Sequence, residues 1–236
     1  MSAVVSVVKL HLNQRWSTFV VPLVIAGTVA AVSVVISLIF WRAGSQPGTE
    51  GWITGSQSNP GIVYALVGFL VYFGVASVST TFPFALTLGA TRRAFVVGTL
   101  LWYAFTAVYI AAIFAVLALL EKLTNHWFAG FYIFDIYVLG AGDIPRLLVI
   151  VFLGVLAPLT IGGVFGAAWI RYGARGPNLV AIGTALAVGI LLLIVIPDAA
   201  AIFAAFQVWW LAVAAGIVIL LAAVGSWLLL RPATVR

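Results

Sequence analysis

Six runs of about twenty mostly apolar residues, divided by short polar segments, leave this chain few folds to choose from. They extend from Ser17 to Trp41, Gly61 to Thr81, Phe95 to Leu120, Leu147 to Ile170, Leu179 to Ile196 and Val208 to Leu230. Roughly 20 such residues in a helix cross about 30 Å of hydrocarbon. Apolar types make up 65% of the 236 residues and charged types only 7%, too little charge to cover the surface of a soluble domain. The expected fold is an all-α membrane protein of six transmembrane helices. It forms a single transmembrane domain over 1–236, with no nucleotide-binding domain.

Around the spans the reading is less regular. Residues 1–16 place Val4, Val8 and Leu12 on one helical face with Lys9 and Arg15 able to reach headgroups, which predicts an N-terminal interfacial helix. No small-residue cleavage site closes a short apolar core there, so the first run is expected to stay in the membrane. Residues 42–60, rich in Gly, Ser, Gln and Pro, read as a loop. Residues 121–143 carry Trp127, Phe128, Phe131, Tyr132, Phe134 and Tyr137 and read as a segment at headgroup depth. Residues 198–207 read as a shorter segment of the same kind.

Charge sets the expected orientation. With the N-terminus inside, the inner segments hold Lys9, Arg15, Arg92, Arg93, Arg171, Arg175, Arg231 and Arg236, eight basic residues and no acid. The outer segments hold Arg42, Lys122 and Arg146 with every carboxylate: Glu50, Glu121, Asp135, Asp143 and Asp198. Basic residues collect on the cytoplasmic side, so both termini are expected there.

Several chemistries are excluded. There is no cysteine, so disulfides and thiolate sites fall away. No Asp, Glu, Lys, Arg or His lies in the middle of a run, which argues against proton coupling through a buried acid. The two histidines, His11 and His126, read as interfacial polar residues rather than metal ligands. Neither lysine sits in a phosphate-binding loop, so this chain alone cannot hydrolyse a nucleotide. Scattered basic residues do not suggest nucleic acid.

The turn between the second and third runs reads Phe82-Pro-Phe-Ala-Leu-Thr-Leu-Gly-Ala-Thr-Arg-Arg-Ala-Phe95. Pro83 is expected to break the second span, and Phe84 and Leu88 to share a face of a short helix. Gly89 is expected to end that helix, Thr91 to cap the third span, and two arginines to stand exposed. This stretch, after the second of six spans, resembles the ABC-2 type transporter permeases of high-GC Gram-positive bacteria.

The resemblance implies a coupling helix at 84–93 that docks on a separate ABC ATPase, with Phe84, Leu86, Leu88, Gly89, Thr91, Arg92 and Arg93 as the coupling loop. It implies an outer re-entrant segment carrying Asp198, Phe203 and Phe206. It implies a second permease, identical or related, and a location in the bacterial cell membrane. No cofactor is then bound by this chain; ATP and Mg sit on the partner. One departure stands out: the inner side is wholly basic, so the acids of any docking pairs must come from the ATPase. Helix packing is assigned to Pro158, Gly162, Gly163 and Gly166 in the fourth run. Thr28, Ser33, Ser37, Ser77, Thr106 and Thr184 are the modest polar groups inside, which suits an amphipathic or apolar cargo. The competing reading is a membrane anchor or assembly subunit that transports nothing.

Overall fold

In hydrocarbon every backbone N–H and C=O must be satisfied internally, and a helix does this within one segment. The computed structural model describes residues 3–233, so the expected inner Arg236 lies outside the described residues. Among the described residues the protein is all-helical, with six helical stretches long and apolar enough to cross a membrane: Trp16–Arg42, Glu50–Thr87, Arg92–Leu123, Ile144–Tyr172, Arg175–Ala205 and Trp209–Leu230. Each contains one of the six expected runs, the last beginning one residue later. The chain is a multi-pass membrane protein.

The helices in chain order are α1 (Ala3–Leu12), α2 (Val21–Arg42), α3 (Glu50–Gln57), α4 (Gly61–Ser79), α5 (Thr81–Thr87), α6 (Arg92–Leu123), α7 (Ile144–Tyr172), α8 (Arg175–Val195), α9 (Ala199–Ala205) and α10 (Trp209–Leu230). Two departures from expectation have local causes. The loop at 42–60 contains α3. Thr49 caps it in an extended conformation, its hydroxyl accepting from the Trp52 N–H at 3.4 Å, and Glu50 opens the first turn. The second span breaks at Thr80 rather than at Pro83. Pro83 has no N–H to offer the Ser79 carbonyl, so α4 ends at Ser79 and the proline falls in the first turn of α5. Pro158, by contrast, sits inside α7, which runs on through it.

Contacts group the residues into two units, to which α4, α6 and α7 each contribute parts. The first takes the chain to His11, Val71–Leu101 and the chain from Leu159. Its core joins α1, α5, α6, α7 and α10 through Val7, Phe82, Ala85, Phe95, Ala167 and Leu230. Phe82 and Phe95 meet edge to face at 5.0 Å. The buried stripe of α1 centres on Val7 and His11, one step round from the expected Val4, Val8 and Leu12. His11 is therefore a core residue of this unit rather than an interfacial one, with Nε2 3.0 Å from the Thr99 hydroxyl.

The second unit takes Leu12–Leu70 and Trp102–Pro158. Phe134 packs edge to face on Phe114 at 5.4 Å, and Ile133, Ile136 and Leu139 are buried with it. The aromatic segment at 121–143 thus folds inward onto its own unit and leaves Phe128 outside, 87% exposed.

Burial pushes His11 down to about 4 from 6.5. The folded value lies below the unfolded one, so the unfolded chain binds the extra proton. The stability is present above about pH 6.5 and is lost as pH falls from there toward 4. Melting at pH 5 rather than pH 8 should cost the wild type about 2 kcal/mol more than it costs His11→Gln.

Candidate functional site

The turn from α5 to α6 is built as a rigid hairpin within the first unit. Thr81, Phe82 and Ala85 face its core, which leaves the opposite side of this seven-residue helix uncovered. Phe84 and Leu88 stand there, 52% and 66% exposed, with Leu86 partly buried. The helix closes as expected at Gly89. Its N–H reaches the Leu86 carbonyl at 3.0 Å while the Ala90 N–H reaches the Ala85 carbonyl at 3.0 Å, the paired bonds of a Schellman turn. That turn needs the left-handed φ of +83° that Gly89 adopts without strain. Thr91 caps α6, its hydroxyl accepting from the Ala94 N–H at 3.2 Å.

The two arginines do not share a fate, and the expectation that both stand exposed is corrected at Arg92. Its guanidinium donates to the carbonyls of Arg231 and Ala233, just past the end of α10. Helix ends leave carbonyls without partners and carry negative partial charge, so a forked cation is drawn there. Arg171 does the same more weakly, donating to the Leu228 carbonyl at 3.4 Å. Arg93 is exposed. The free surface is therefore Phe84, Leu88 and Arg93, an apolar patch beside one cation on a braced turn.

The assigned packing glycines find their partner in the same unit. A Cβ on Gly162 would lie 2.2 Å from the Val71 carbonyl oxygen, and one on Gly166 would lie 2.6 Å from that of Val75. Across the contact, a Cβ on Gly74 would lie 2.3 Å from the Leu159 oxygen. The backbones of α4 and α7 touch here. Gly163 is buried beside them. Gly74 was not foreseen, since a lone glycine in a span carries no motif.

The expected outer segment forms α9 after a single tight turn at Ile196–Asp198. Asp198 and Phe203 are exposed, and Phe206 meets Trp210 edge to face at 6.1 Å. Of the polar groups inside the spans, Thr28, Ser77 and Thr106 bond back to carbonyls of their own helices. Ser33 and Ser37 instead line one cavity in the second unit.

Glu121 was read only as an outer charge. It lies in the last turn of α6 and is wholly buried. Its carboxylate accepts from the backbone N–H groups of Ile133, Phe134 and Asp135 at 3.0, 2.8 and 3.2 Å, and from the Trp127 indole at 3.1 Å. The turn between these donors is left-handed over Asn125, His126, Trp127 and Phe128, with φ from 50 to 62°. One sequence signal existed: an acid at a helix C-terminus opposes the dipole and asks for another reason to be there.

Comparison with protein-family models, with curated proteins and with solved structures finds no match to this chain.

Proposed function

We propose that this chain is the permease subunit of an ATP-driven exporter, coupled to a separate ATPase through the α5–α6 turn. The observation that carries the reading is the turn itself. Phe84 and Leu88 project at the end of α5, which a Schellman turn closes, Arg93 stands in the first turn of α6, and the buried Phe82–Phe95 pair seats the two helices on each other. A lever must be stiff to transmit a partner's motion, and this one is braced by core packing rather than by solvent-exposed bonds.

In this reading the α5–α6 turn faces the cytoplasm of a bacterial cell, as do both termini, and the membrane is the plasma membrane. Support comes from the first unit, where Lys9, Arg92, Arg93, Arg171, Arg175 and Arg231 gather with a single acid, Asp198, among its described residues. α1 lies along the same inner surface. The ATPase brings ATP and Mg and offers acids to Arg93. A second permease completes the translocation path. The cargo is amphipathic or lipophilic, because the spans offer hydroxyls and apolar walls. The alternative of an anchor without transport shares the apolar interior but gives no reason for a braced, exposed turn.

Arg93→Glu combined with Phe84→Ala should reduce co-purification of the ATPase about tenfold, the loss expected from one interface anchor and one charge. Arg92→Glu should instead lower the thermal midpoint, by repelling the carbonyls that end α10. An ATPase that stays bound and coupled in the Phe84–Arg93 double variant removes this turn from the mechanism. Reporter fusions after Gly89 that read outside the cell overturn the orientation.

A further inference from the structure

We propose that the second unit holds a binding site for an uncharged polyhydroxyl group of sugar type, between α2, α3 and Tyr132. The cavity there measures about 360 Å³, within the range of small-ligand sites. Its polar wall is made of hydroxyls: Ser37 from α2, Ser45 from the following turn, Ser56 from α3, and Tyr132. Among the described residues no group hydrogen-bonds to the hydroxyl of Ser37, Ser45 or Ser56. The other polar groups are committed. Asn59 bonds Ser33 at 3.4 Å and the Gly61 N–H at 3.0 Å, and the Trp52 indole donates to the Gly130 carbonyl at 2.7 Å.

The chemistry of that wall selects its ligand. A hydroxyl both donates and accepts, so three free ones suit a partner that also does both. No Asp, Glu, Lys, Arg or His lines the cavity. A charged group entering it would lose hydration without an opposite charge in return. Trp52, with its N–H tied up, presents ring surface, and aromatic surface beside a few placed polar groups is the usual build of a small-molecule site. Ile36 and Phe40 extend the same wall as an apolar strip on α2. The site therefore takes a sugar-like headgroup with room beside it for an attached chain.

Tyr132 is held in place from behind. It stacks on His126 at 3.9 Å, and His126 is fixed by Asp135 at 3.1 Å. Burial, then the charges of Asp135 and Glu121, push its phenol up, so it serves as a neutral donor.

The site needs no ATPase, so its test is independent of the transport reading. The purified full chain is placed in phosphatidylcholine nanodiscs containing small equal amounts of monoglucosyl-diacylglycerol, diacylglycerol and phosphatidylglycerol. Lipids retained by the protein are counted by native mass spectrometry. The glucosyl lipid should be enriched about tenfold over diacylglycerol, as two or three neutral hydrogen bonds would give. Joint replacement of Ser37, Ser45 and Ser56 by valine should erase that enrichment without changing the helical signal. Should that variant fail to fold, Tyr132→Phe removes one hydroxyl and should lower the enrichment several-fold. Displacement by methyl glucoside assigns the site to a free sugar, and retention against it assigns the site to a lipid-borne one. Preference for phosphatidylglycerol, or undiminished enrichment in the hydroxyl-free variants, overturns the proposal.

Discussion

Gly162→Ala should leave little correctly folded protein, an unusually large effect for a single methyl group. The new Cβ would meet the Val71 carbonyl oxygen at 2.2 Å and the Gly74 Cα at 2.9 Å. Both obstacles are backbone, so no side chain can rotate away and the helices themselves must part. In lipid that separation is costly in a particular way. Hydrocarbon is as apolar as leucine, so helix association there depends on close van der Waals contact rather than on escape from water. An overpacked contact in a soluble core costs roughly 1–3 kcal/mol, and a backbone clash at a helix crossing belongs at or above the top of that range. Gly154→Ala supplies the control. It lies on the same helix, nothing stands within 4 Å of its Cβ position, and alanine favours the helix by roughly 0.5–1 kcal/mol. Gel filtration and thermal melting in detergent should show aggregation for Gly162→Ala and an unchanged or higher midpoint for Gly154→Ala. Equal behaviour would mean that α4 and α7 do not touch as described.

The six spans were readable in the sequence because one physical demand, satisfied backbone in hydrocarbon, acts on every residue of each run. The α5–α6 turn was readable for a different reason. Gly89 and Thr91 are local signals, and the bonds they imply close within a few residues. What escaped depends on partners far along the chain. Arg92 looks like Arg93 until α10 ends beside it, 139 positions away in sequence. His11 belongs to the polar face of an isolated helix until Thr99 of α6 receives it. Helix α3 was hidden by its glycines and serines, which suggested a loop although Thr49 and Glu50 begin a helix. The candidate sugar site was half visible: Ser33 and Ser37 stood out as polar residues in a span, but their meeting with α3 is tertiary.

Glu121→Ala should collapse the segment from Thr124 to Ile136, at a cost on the order of 3–5 kcal/mol, roughly two charge-assisted hydrogen bonds. The reasoning starts from strain. Four successive residues, Asn125 to Phe128, carry positive φ, and none is glycine. Left-handed backbone costs an L-residue roughly 1–2 kcal/mol, so this turn persists only because something outside it compensates. Glu121 is that compensation. One carboxylate gathers the N–H groups of three successive residues and the Trp127 indole, all of which would otherwise be buried without partners or turned to lipid headgroups. Alanine removes the acceptor and orphans the donors together. Glutamine is the sharper variant. It keeps the volume and one oxygen, but its NH2 group would face N–H donors, so it should fall between wild type and alanine in stability. Because His126, Tyr132 and Asp135 belong to the same segment, its release also dismantles the stack behind Tyr132. Hydrogen exchange should therefore rise over 124–136 in Glu121→Ala while the α5–α6 turn stays protected. Unchanged exchange there would show that the left-handed turn is held by something other than this carboxylate.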